Sequence, residues 1–144
     1  MQVPIPINHE EVLLKCIPQR HPIVMVDTLL SFEEDSVVAG FTVQAEGLFE
    51  QDGMLAEPGL IEHMAQTVAL HTGFSFYVRN EQAPTGYIGS IANLRVNRLP
   101  VQHENIVTKA TILHEFSGVT LVDIVSKVHN EVIASGQMKT VIAK

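Results

Sequence analysis

Gly59-Leu60-Ile61-Glu62-His63-Met64-Ala65-Gln66-Thr67-Val68-Ala69-Leu70-His71-Thr72-Gly73-Phe74-Ser75-Phe76-Tyr77 is the stretch on which the fold turns. Leu60, Ile61, Met64, Ala65, Val68 and Ala69 recur at helical spacing. Pro58 stands just ahead, where a helix tolerates a residue without an amide hydrogen. Between Leu60 and Val78 the one formally charged residue is Glu62, and the next charge is Arg79. A helix at a protein surface shows a charged face. The stretch therefore predicts a helix from about Gly59 to Tyr77, buried nearly all round.

On either side the pattern changes to strands. Residues 23–32 predict a first strand, Glu33, Glu34 and Asp35 a polar turn, and Val37, Ala39, Phe41 and Val43 an alternating second strand. Residues 46–57 form a glycine-containing loop without clear period. Beyond the helix, 85–98, 104–116, 118–128 and 131–142 again follow a β pattern, with hairpin breaks at Ser117–Gly118 and His129–Asn130. His9 to Cys16 suits a short helical turn. The order β-β-α-β-β-β-β predicts an α+β fold, a long antiparallel sheet wrapped around one central helix. No repeat, linker or low-complexity tract divides the chain, so residues 1–144 are expected to form a single domain.

Composition removes several classes of function. With 144 residues, 46% of them hydrophobic, the chain suits one domain with a substantial core. Sixteen acidic residues against nine basic ones give a net charge of -7, and no basic cluster exceeds two residues. Neither a nucleic acid nor an anionic membrane is the expected partner. An acidic carrier protein docking on a local Lys/Arg patch stays compatible with this balance. Cys16 is the only cysteine, so no intrachain disulfide forms, and no obvious activating partner accompanies it. The start, Met1 to Asn8, lacks a basic region and an apolar run, and no apolar stretch nears the ~20 residues of a membrane span. The expectation is a soluble cytoplasmic protein. No G-x-S-x-G, P-loop or G-x-G-x-x-G motif is present, and His21, His103, His114 and His129 lack metal-ligand spacing.

Glu62 supports two readings. Acids are favoured in the first helical turn by the helix dipole, which makes Glu62 an ordinary end residue. A carboxylate at the edge of an apolar arc, one turn from Gln66, is also costly to bury and typical of a functional site. His63 points about 100° away from Glu62, toward Thr67 and Leu70. Its default reading, like that of His71, is a hydrogen-bonded packing residue.

Three blocks carry a resemblance. Ile17-Pro18-Gln19-Arg20-His21-Pro22-Ile23-Val24-Met25-Val26-Asp27 resembles the L-P-H-R-x-P-x-L-L-V-D opening of the β-hydroxyacyl-(acyl carrier protein) dehydratases. Glu62-His63-Met64-Ala65-Gln66 resembles their helix motif E-A-x-A-Q, and Gly86 to Val96 sits where they carry a strand of the G-x-x-x-x-R-F kind. Asp52-Gly53 and Leu60-Ile61-Glu62-His63-Met64-Ala65-Gln66 are similar to the D-G and G-I-E-Y-M-A-Q of a divergent branch from aryl-polyene and flexirubin-type pathways. The resemblance implies a hotdog fold and a dimer whose strands join into one sheet, with active sites at the dimer interface. The substrate would be a 3-hydroxyacyl chain carried on the phosphopantetheine of an acyl carrier protein, with no further cofactor. Water is eliminated to give a trans-2-enoyl thioester.

In that family the base is the His of G-H-F-P-G, and the acid is a Glu or Asp on the helix of the other subunit. A backbone N–H at the helix start polarises the thioester carbonyl. Glu62 matches the acid and Gln66 the motif glutamine. Gly47-Leu48-Phe49 falls on G-H-F, so the base position holds Leu48. Pro58-Gly59 lies two residues nearer the carboxylate than the family's P-G, leaving Gly59 or an amide near Glu57 to face the thioester. Leu48, Phe49, Gly59 and Gln66 are the expected substrate-contacting positions. Without the histidine, three routes remain. His63 or His21 replaces the base, or Glu62 serves as both base and acid, in a hydro-lyase acting alone. Alternatively the chain is a half-catalytic or non-catalytic subunit, in a heterodimer with a related dehydratase rather than a homodimer. The third route is thioester hydrolysis, which also occurs on hotdog folds.

Overall fold

The computed structural model describes residues 4–143. Its elements are α1 (Glu10–Cys16), β1 (Thr28–Glu33), β2 (Ser36–Thr42), β3 (Glu50–Gln51), β4 (Met54–Leu55), α2 (Glu57–Val78), β5 (Gly86–Val96), β6 (Asn105–Phe116), β7 (Val119–Val128) and β8 (Glu131–Ile142). Six strands form one antiparallel sheet in the order β1-β2-β6-β7-β8-β5. Both long hairpins turn through two residues of positive φ: Ser117 (54°) and Gly118 (81°), then His129 (49°) and Asn130 (65°). Such turns match the right-handed twist of the flanking strands. The expected α+β hotdog architecture is observed, with α1 added beside the central helix.

Alternation places the core. On β7, Val122, Ile124, Ser126 and Val128 are buried, and on β6 Ile106, Thr108 and Ala110 are buried with them. These residues share the face that meets Leu60, Met64 and Leu70 of α2. Gly73 of α2 is buried directly against the end of α1.

Three expectations need correction. The first strand begins at Thr28, not at residue 23, because other groups take the backbone that a ladder would use. The Met25 amide donates to Gln66 Oε1 (2.7 Å), while His63 Nδ1 donates to the Met25 carbonyl (2.6 Å) and Gln66 Nε2 to that of Ile23 (2.8 Å). The 46–57 loop contains a small hairpin, β3–β4, turned by Asp52 (φ 52°) and Gly53 (φ 78°). It is pinned from behind, since Leu55 N donates to Pro100 O and Gln102 N to Gly53 O, both at 2.9 Å. Finally, α2 is not buried all round: Ile61, Glu62, Ala65, Val68 and Ala69 are half-buried, leaving one flank of the helix partly open.

The two sheet edges differ. β1 is bridged by Ile7, whose amide and carbonyl both bond Leu29. β5 pairs only with β8, and its other edge is free along eleven residues among those described, with Tyr87, Ile88 and Ile91 exposed. An apolar free edge of that length is a template for another strand. Among the described residues no helix is long and apolar enough to cross a membrane.

Candidate active site

Glu62 stands at the open flank of α2. With Glu57, Pro58, Ile61, Ala65 and Ile88 of β5 it lines a cleft of about 520 Å³. Its Oε2 accepts a hydrogen bond from Gln66 Nε2 at 2.7 Å, which holds the carboxylate one helical turn from its partner. Gln66 is fully buried. Its oxygen takes the Met25 amide and its nitrogen serves Ile23 O and Glu62, so the orientation of the amide follows from its partners. Gln66 is therefore a brace between Glu62 and the segment 23–25, and it lines neither cavity described here.

Leu48 and Phe49 are elsewhere. They line a second cavity of about 500 Å³ together with Val24, Met25, Phe41 and His21. Leu48 is 53% exposed at its mouth. Glu10, Glu46 and Glu50 also border this cavity, and His21 pairs with Glu10. Thus the positions matching the family's acid and base face different cavities of one chain. His21 accompanies Leu48 and not Glu62.

Gly59 fills the wall between them. A Cβ there would lie 2.5 Å from Leu55 Cδ1 and 2.6 Å from Phe49 Cβ, so the position needs a residue without a side chain. Its amide donates to Ala56 O at 2.9 Å. Among the described residues, the helix-start donor without a backbone acceptor is the Glu57 amide, and Glu57 borders the Glu62 cleft.

His63 lies inside the core with no exposed surface. Because Nδ1 must donate to the Met25 carbonyl, Nε2 of the neutral ring accepts from the Thr108 hydroxyl (2.7 Å), and Thr108 in turn accepts from Ser126 (2.7 Å). Burial pushes the imidazole down from its usual 6.5 to about 4, against opposing contributions from the Met25 carbonyl and Asp27. The unfolded chain therefore binds a proton on His63 that the fold does not, in the window between about pH 6.5 and pH 4. Stability contributed by this group is present above that window and is lost as pH falls through it, amounting to about 3 kcal/mol. Calorimetry between pH 4 and 7 should show that slope, and His63→Ala should flatten it while lowering Tm at pH 7. An unchanged slope in the variant would place the acid sensitivity elsewhere.

Thr108, Ser126, Ile88 and the Met25 backbone were not singled out in the sequence. The available signal was polarity at inward positions of apolar strands, namely Thr108 between Ile106 and Ala110, and Ser126 between Ile124 and Val128. The role of Ile88 and the Met25 backbone had no local signal.

Comparison with known proteins supports the fold and gives the family. A 3-hydroxyacyl-[acyl-carrier-protein] dehydratase FabZ from Vibrio atlanticus is 27% identical over 133 residues, covering 85% of each chain. The solved dehydratase heterocomplex ApeI:P from Xenorhabdus doucetiae superposes with a TM-score of 0.84 at 19% identity, covering 92% of this chain and 91% of that one. A hypothetical thioesterase with coenzyme A from Streptococcus pneumoniae shares the fold more distantly, with a TM-score of 0.64 at 9% identity and coverage of 80% and 84%. The ApeP-like family, described as ApeP dehydratase, matches residues 12–144, nearly the whole chain. On that match, the chain belongs to the ApeP-like dehydratase family.

Proposed function

We propose that the chain is the acid-bearing half of a paired dehydratase site, acting on 3-hydroxyacyl thioesters of an acyl carrier protein in fatty-acid or aryl-polyene assembly. One observation carries this reading: Glu62 lines one cavity, while Leu48, in the base position, lines the other. Among the described residues no histidine borders the Glu62 cleft, and both ring nitrogens of His63 are spent in the core. A site built across two chains requires separate half-sites of this kind. This chain's Glu62 then meets a base from a related dehydratase, and its Leu48 faces that partner's acid. The free edge of β5, beside the cleft through Ile88, is the continuous surface such pairing would use.

In the complete site the partner's imidazole takes the proton α to the thioester carbonyl. Glu62, as the general acid, delivers a proton to the departing C3 hydroxyl, which leaves as water. The Glu57 amide, at the positive end of α2, would receive the developing enolate oxygen. Localisation in the cytoplasm and the absence of a further cofactor belong to the same reading.

The test is an assay on a 3-hydroxyacyl carrier-protein thioester, with the purified chain alone and mixed with a dehydratase that has an intact G-H-F-P-G. Enoyl formation by the mixture, with little by the chain alone, is expected. Equal turnover by the isolated chain would make it a self-sufficient enzyme. Release of free acid would replace elimination with hydrolysis.

A further inference from the structure

Strand pairing gathers cations that the sequence scatters. The face of β7 turned away from α2 presents Val119, Leu121, Asp123, Val125 and Lys127. Across the register, Lys109 and Arg95 fall in line with Val125 through Ser135, and Lys139 falls beside Leu121. Four of the nine Lys and Arg residues, Arg95, Lys109, Lys127 and Lys139, thus share the outer face of β5–β8, and all four are exposed. None of them makes an ion pair among the described residues, whereas Arg79 and Arg98 do. Asp123 is the only acid on this face of these strands, in a chain with sixteen acidic residues.

An apolar strip lies at one end of the same face, next to Lys139 and about 20 Å or more along the strands from Lys109, Arg95 and Lys127. Phe116, Val119, Val141 and Tyr87 are direct cross-strand neighbours and are 73%, 38%, 40% and 62% exposed. At about 4.8 Å per strand the strip spans roughly 14 Å. Contiguous exposed apolar surface marks an interaction site, and here it continues into a face whose charges are mostly positive. A nucleic acid or anionic membrane fits less well, because four spaced cations on a chain of net charge -7 give a weak field for a polyanion.

We infer that this outer face docks an acidic protein, namely the acyl carrier protein of the proposed function, on which the inference rests. Tyr87 and Ile88, at the start of β5, point to opposite faces of the sheet, so the two sites meet around its end. Tyr87 lies in the docking strip and Ile88 lines the Glu62 cleft. A carrier seated on the strip stands at the end of the sheet where the cleft lies.

The experiment titrates the full-length chain with apo-acyl carrier protein at low salt. That form lacks the phosphopantetheine arm and reports docking alone. Lys109→Glu with Lys127→Glu should weaken binding at least tenfold, the paired Lys→Arg variants should retain it, and added salt should weaken the parent. In parallel, turnover of a small 3-hydroxyacyl N-acetylcysteamine thioester by the mixed dimer should be unaffected by charge reversal. Loss of that turnover in the parent would count against the dehydratase reading and not against docking. Undetectable parent binding, or equal affinity in the charge-reversed chain with its melting temperature intact, overturns the docking surface. So does binding of duplex DNA or phosphatidylglycerol vesicles that the substitutions abolish while carrier affinity stays unchanged. A changed oligomeric state in the variant would make the face an interface between copies and equally overturn it.

Discussion

Glu62→Gln should lower enoyl formation by the mixed dimer about 10²- to 10⁴-fold, the range a positioned general acid contributes. The expected cause is chemical and not structural. Glutamine keeps the length and shape of the side chain, and its oxygen can accept the Gln66 Nε2 hydrogen that Glu62 Oε2 accepts at 2.7 Å. The brace from Gln66 to Met25 and Ile23 does not involve the carboxylate, so the segment behind the site stays in place. Thermal unfolding of the variant should therefore change by no more than about 1 kcal/mol, against a loss at the transition state of roughly 3–5 kcal/mol. Both quantities can be measured on one preparation, as kcat and as Tm. If turnover stays within threefold of the parent, the carboxylate is not the acid and the half-site reading fails. If turnover and Tm fall together, Glu62 is a structural residue of α2; the first-turn position expected from the sequence is not observed, because the helix begins at Glu57 and places Glu62 in its second turn.

How far the sequence revealed this site depended on the range of the interactions. α2 was legible because its signal lies within nineteen consecutive residues, and the β6–β7–β8 strands were legible through their alternation and two-residue turns. The segment 23–27 was misread because its composition suits a strand, while its backbone partners are the side chains of Gln66 and His63, about forty positions away. Local pattern carries no information about a competitor that distant. The same limit applies to the helix flank. Freedom from charge around Glu62 predicts burial, yet Ile61, Ala65 and Val68 remain half-buried. An apolar flank suits a surface covered by another chain as well as one covered by the protein itself. His63 followed its default as a packing residue, for a reason the sequence could supply: a residue about 100° from Glu62 on the wheel faces Thr108 and not the cleft. The separation of Leu48 from Glu62 into two cavities was beyond sequence reading, since fourteen residues of chain say little about which side of a wall each reaches.

Gly73→Ala should be the most damaging single-methyl change in the molecule. Considered as helix chemistry alone, it should help, because alanine in a helix interior is favoured over glycine by about 1 kcal/mol. Packing reverses the sign. A Cβ on Gly73 would overlap the Cys16 carbonyl oxygen outright, lying 2.6 Å from its carbon and 3.0 Å from its Cα. These are backbone atoms at the end of α1, so no side-chain rotation relieves the contact. α1 would have to shift as a body, together with the chain through Ile17 and Arg20 that leads to His21 on the second cavity. Overpacking against backbone costs about 3 kcal/mol or more, which exceeds the propensity gain and corresponds to a Tm lower by roughly 10 °C. Gly47→Ala provides the control, because nothing lies within 4 Å of a Cβ there, although Gly47 stands in the block matching the family's base loop. That variant should melt within about 0.5 kcal/mol of the parent. Should Gly73→Ala melt as high as Gly47→Ala, the two helices do not meet backbone to backbone as described. The position of α1 against α2, and with it the placement of His21, would then have to be redrawn.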